Sequence, residues 1–127
     1  NAAATALRLG VPISLHSDTP VTPLGPLHSV KHAVTRLTVS GRVMGELERI
    51  GVQEALEAVT IGGAYMLKMD HEVGSLEAGK LADLAVLAED PLAVEPERIG
   101  EIHVLGTVVG GRHHATKVAA LSGVPAS

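Results

Sequence analysis

A chain of 127 residues with 46% hydrophobic and 19% charged side chains has the length of one ordinary domain, or of a piece of a larger one, and is too apolar to be disordered. A formal charge of −4, scattered Lys and Arg and a single aromatic residue, Tyr65, argue against a basic, base-stacking nucleic-acid surface. With no cysteine, disulfides and thiolate metal sites are excluded, so any metal must be held by His and carboxylate.

No apolar run approaches the ~18 residues of a membrane span, and no signal peptide is visible, so no membrane partner and a cytoplasmic location are expected. The sequence opens on Asn1-Ala2-Ala3-Ala4 without Met, which reads as a start cut or left out.

Residues 2–9 read as a helix closed by Gly10. Residues 11–15 (VPISL) read as a short buried strand that runs into His16-Ser17-Asp18 and then a loop over 19–26 with three prolines. A helix is predicted over 27–37, where Leu27, Val30, Val34 and Leu37 share a face. Residues 38–50 look irregular. Residues 52–67 read as helical, with Gly62-Gly63 expected to break the run in two. After Met69 the pattern changes to turns and strands: a strand over 82–87, another over 102–109, a tight turn at Gly110-Gly111 and a return strand from Arg112 to His114. Residues 115–127 read as a C-terminal tail. Helix, strand, loop and helix in that order belong to α/β folds, whose catalytic groups sit where a strand ends and its loop begins.

Asp18 stands at that place. A carboxylate there could bind a metal through one oxygen and take a proton from attacking water with the other, or it could simply cap the loop by accepting backbone N–H groups. Three residues do not decide between these. His28 and His32, four apart on one helix, could in principle share a metal, but no Glu occupies the zincin position, and a solvated helix face is the expectation. His113-His114 are expected at the surface, and His71 and His103 are isolated. Neither Gly110-Gly111 nor Gly62-Gly63 has the flanking residues of a phosphate cradle, and no serine sits in a Gly-x-Ser-x-Gly elbow.

The stretch LHSDTPVTPLGPLHSVKHAVTR (15–36) resembles the eighth-strand segment of the amidohydrolase superfamily. It is most similar to the branch called amidohydrolase family 3, which includes N-substituted formamide deformylases. The resemblance continues through residues 51–92 and 102–112; the GSLEAGKLADLAVL segment (74–87) is common to many branches. It implies an α/β chain forming the C-terminal part of a (β/α)8 TIM-like barrel plus part of a small β-sandwich. On that reading residues 1–70 carry the last strand and helices of the barrel, 71–114 part of the composite β-sandwich and 115–127 the tail.

The implied function is metal-dependent hydrolysis of a C–N bond of amide or formamide type through a metal-activated water. Asp18 matches the family's strand-eight aspartate, a metal ligand and proton shuttle, and His16 takes a substrate-contacting position. The implied cofactor is a divalent metal, zinc, and the implied partner a small-molecule amide-type substrate. The family's other metal ligands have no counterpart in these residues, so the chain alone is expected to hold metal poorly and to be inactive. The alternative of a different class is a non-catalytic, self-associating structural or interaction module. A start codon directly before Asn1 would favour the module, and an upstream reading frame with a His-x-His strand the enzyme. In either case a homo-oligomer, or association with the rest of a parent chain, is expected, because the helices present aliphatic faces with one barrel strand to cover them.

Overall fold

The computed structural model describes residues 2–21 and 24–116; most of the predicted tail lies outside the described residues. Four α-helices precede a three-stranded sheet: α1 (Ala3–Arg8), α2 (Pro26–Thr35), α3 (Val52–Val59), α4 (Ile61–Met66), β1 (Leu84–Leu87), β2 (Val104–Val109) and β3 (Arg112–Ala115). Short 3₁₀ turns at Glu46–Glu48 and Pro96–Glu101 complete the elements.

The core forms where α2 meets α3 and the 96–101 turn. Val30 and Ile99 are fully buried there, with Ala33, Ile50, Ala55 and Ile102 around them. Pro26 begins α2 where a missing N–H costs nothing. At the start of α3 the Glu54 carboxylate accepts the Gly51 N–H at 2.7 Å, one half of a capping box. The aliphatic faces of α2 and α3 pack on each other and leave Leu27, Val34, Leu56 and Val59 half-buried. The apolar side chains left in water lie elsewhere, among them Leu9, Leu24, Leu47 and Leu67.

Two expectations are corrected. Residues 11–15 are extended, and Ile13 and Leu15 pack on the core, but they enter no strand ladder among the described residues. Val11 and Pro12 are exposed, and a backbone bond from Leu15 N–H to Ala58 C=O at 3.2 Å ties the end of the segment down. A parallel strand is buried only when other strands and helices flank it, and among the described residues no strand pairs with this segment. Second, the long helical run breaks at Thr60, whose backbone leaves the helical region, and both Gly62 and Gly63 lie inside α4. The Thr60 hydroxyl bonds back to Leu56 C=O at 2.7 Å and satisfies a carbonyl freed by the break.

Gly62 has a different task. A Cβ at this position would stand 2.4 Å from the Ile13 carbonyl oxygen, so glycine is what lets the extended segment cross α4.

The sheet is antiparallel in the order β1-β2-β3, with Leu84 opposite Val108 and Thr107 opposite His114. Gly110 and Gly111 both have positive φ, 55° and 79°, as the two-residue hairpin turn demands. The 3₁₀ turn at Pro96–Glu101, which places Ile99 in the core, had no periodic signal in the sequence.

The segment before the sheet is held by Lys80. Its side chain is only 14% exposed; the ammonium donates to Ser75 Oγ at 2.7 Å and to the Asp70 carbonyl, and pairs with Glu77 at 3.0 Å. The Ser75 hydroxyl, and then Lys80, hold the Glu77 carboxyl below its ordinary pKa. Charged hydrogen bonds contribute about 1.5–3 kcal/mol when buried. Lys80→Met is therefore expected to lower the free energy of unfolding in urea by about that amount, and an unchanged midpoint would show that these bonds merely replace water.

Candidate functional site

The site is built where the extended segment 11–15 gives way to a turn. Asp18 has φ 53°, in the left-handed region that Asp and Asn tolerate better than other side chains. Its carbonyl accepts the Val21 N–H at 2.8 Å, closing a turn that contains the cis Thr19–Pro20 bond. One residue back, the Ser17 hydroxyl accepts the Gly25 N–H at 3.4 Å and joins this turn to the residue that caps α2. Asp18 and His16 are both exposed, and Ser17 between them is half-buried. The capping alternative is therefore met by the backbone of Asp18 rather than by its side chain. No hydrogen bond or ion pair engages the Asp18 carboxylate among the described residues, which leaves both oxygens available.

Among the described residues, no three His, Asp or Glu side chains converge to hold a metal ion. Asp18 can offer a hard oxygen donor, but a single ligand falls short of the three or more protein ligands that such sites use. The donor set of the described residues alone does not fit a metal centre.

The other histidines divide by environment. His32 is exposed and its Nδ1 lies 3.2 Å from the Leu37 carbonyl oxygen, while His28 is half-buried. The solvated-face expectation therefore holds for His32 but not for His28. A Cβ added at Gly25 would come within 2.9 Å of the His28 ring, and one added at Gly100 within 2.8 Å. His113 and His114 are exposed on β3, and His103 and His71 are exposed as well.

Far from Asp18, Glu48 accepts from both the hydroxyl and the N–H of Thr5, the latter at 3.0 Å, and so fastens α1 to the 46–48 turn. The Thr5 hydroxyl is the main reason that the Glu48 carboxyl sits below its ordinary pKa of 4.5, with Arg8 adding to the shift. A depressed folded pKa means stability that is present above 4.5 and lost as pH falls through the lower folded value. The protection of α1 amides, taken relative to their intrinsic exchange rates, is accordingly expected to fall below pH 4.5 in the native chain and to lose that dependence in Glu48→Gln. Equal acid sensitivity in both would remove Glu48 as the cause.

Residues 1–114 match the amidohydrolase family, nearly the whole chain. The chain belongs to that family. Within it, the sequence is 38% identical over 105 residues to the N-substituted formamide deformylase of Arthrobacter pascens, covering 83% of this chain and 19% of that protein. It is 39% identical over 101 residues to Protein LONG AFTER FAR-RED 3 of Arabidopsis thaliana, covering 79% of this chain and 17% of that protein. The chain thus spans about a fifth of the length of these curated relatives. The solved N-acetylglucosamine-6-phosphate deacetylase from Pasteurella multocida aligns with 76% of this chain and 21% of its own, at 27% identity and a TM-score of 0.48, too loose an overlap to fix the architecture.

The first strong signal, the His-Ser-Asp stretch, was legible in the sequence. The roles of His28, Lys80 and Gly62 were not. The i, i+3 pair Glu77–Lys80 beside Ser75 was a usable hint for the second of these.

Proposed function

We propose that this chain contributes the Asp18 carboxylate to a metal-dependent amidohydrolase, of the relatives' length, that cleaves a C–N bond of amide or formamide type. The observation that carries this reading is the uncommitted, exposed carboxylate of Asp18 at the end of an extended segment, in a chain of the amidohydrolase family. The similarity to a formamide deformylase supports the bond class.

In this reading Asp18 acts as general base toward the attacking water and then returns the proton to the leaving nitrogen. Its left-handed backbone and the Ser17–Gly25 bond fix the turn from which the carboxylate projects into solvent, where the substrate approaches. His16, exposed two residues earlier, contacts the substrate. Asp18 would also be one oxygen donor to a divalent metal, with zinc the expected ion; residues beyond this chain would complete the donor set. The small sheet β1–β3 would form part of a larger β-sandwich and residues 1–70 the end of a (β/α)8 barrel, with the exposed apolar side chains covered by the rest of the protein or by a second copy. The cytoplasm is the proposed location.

Metal analysis of both proteins tests the reading. After dialysis, the 127-residue chain is expected to retain no zinc and the protein of the relatives' length to retain it and to hydrolyse an N-alkylformamide such as N-butylformamide. A longer protein that neither holds metal nor cleaves amide or formamide bonds would sink the proposal.

A further inference from the structure

His28 lies at the start of α2 with its imidazole wedged between two glycines from distant parts of the chain. One is Gly25, the cap of α2. The other is Gly100, in the 96–101 turn whose Ile99 is fully buried in the core. The fit leaves no room for a side chain on either side: an added Cβ would meet Cδ2 of the ring at 2.9 Å from Gly25, and Nδ1 at 2.8 Å from Gly100. Lys31, one turn on, also flanks Gly100, with its Cδ 3.2 Å from such a Cβ. Gly100 therefore sits in a notch between His28 and Lys31, and the ring lies between the 96–101 turn and the first turn of α2. From there the connection to Asp18 is short. The His28 N–H donates to the Gly25 carbonyl at 3.1 Å, and the Gly25 N–H donates to Ser17 Oγ at 3.4 Å, next to Asp18.

We propose that His28 is a positioning residue for the reaction: its ring, held by Gly100, fixes Gly25 and Ser17 and through them the place of the Asp18 carboxylate. This rests on the function proposed above. A group set by packing is sensitive to its neighbour's volume, and misplacing a reacting group by about 1 Å costs up to roughly 10²-fold in rate.

The test is a cycle in the enzyme of the relatives' length, with N-butylformamide as substrate. His28→Ala and Gly100→Ala are each expected to lower kcat roughly tenfold with little change in KM. His28→Phe, which keeps a planar ring in the slot, is expected to restore most of the rate. The double variant His28→Ala/Gly100→Ala is expected to be faster than the sum of the single losses allows, since the new methyl enters the space the ring has left. Equal kcat in wild type and His28→Ala, with Asp18→Asn inactive, would overturn the positioning role and leave the proposed function standing. Near-wild-type turnover by Asp18→Asn would instead overturn the proposed function. If His28→Ala fails to fold, Gly100→Ala and His28→Phe decide: strict additivity between Gly100→Ala and His28→Phe would also overturn the coupling.

Discussion

In an enzyme of the relatives' length, Asp18→Asn is expected to lower kcat by roughly 10²–10⁴-fold while leaving the fold intact. Loss of a positioned general acid–base group has that magnitude. The substitution isolates the charge because Asn tolerates the left-handed region as Asp does, so the φ of 53° and the turn closed by Val21 survive. Ala would mix a backbone penalty into the result. The check is steady-state hydrolysis of N-butylformamide beside the circular dichroism spectrum and thermal midpoint of both proteins. Near-wild-type turnover with an unchanged midpoint would remove Asp18 from the chemistry.

The second large effect falls on stability and comes from two adjacent glycines. In a helix interior, Gly→Ala ordinarily stabilises by about 0.5–1 kcal/mol. At Gly63 nothing lies within 4 Å of the new methyl, and that gain is expected in full. At Gly62 the same methyl would stand 2.4 Å from the Ile13 carbonyl oxygen and 3.2 Å from that of Glu57. Backbone atoms cannot turn aside as a flexible side chain does, and overpacking of this kind costs about 1–3 kcal/mol. The clash outweighs the propensity gain, so Gly62→Ala is expected to destabilise by about 1–2 kcal/mol net. Urea unfolding of the two variants should move the midpoint in opposite directions. Parallel shifts would mean that the extended segment does not cross α4 where the structure puts it.

That pair shows where the sequence stopped being readable. Periodicity located the helices because a 3.6-residue repeat of Val30, Val34 and their neighbours is a local property. The hairpin was legible because two consecutive glycines at 110 and 111 answer a backbone demand that few other residues meet. Asp18 was legible as a residue type in a particular stretch, and its family followed from that stretch. Gly62-Gly63, by contrast, looked like a helix break. The break falls at Thr60, and Gly62 is small because residue 13 passes over it.

The same holds for the other features that only the tertiary structure decided. Glu48 finds Thr5, His28 finds Gly100, and Ile99 reaches the core from a turn without a periodic pattern. Residues 11–15 have the composition of a buried strand, yet composition states only what a segment would accept beside it. Each of these outcomes depends on a contact between segments some 40 to 70 residues apart, or on a partner strand that the described residues do not contain. A local pattern specifies the element and the face it offers. Which neighbour arrives at that face is set by packing the whole chain into one dense core.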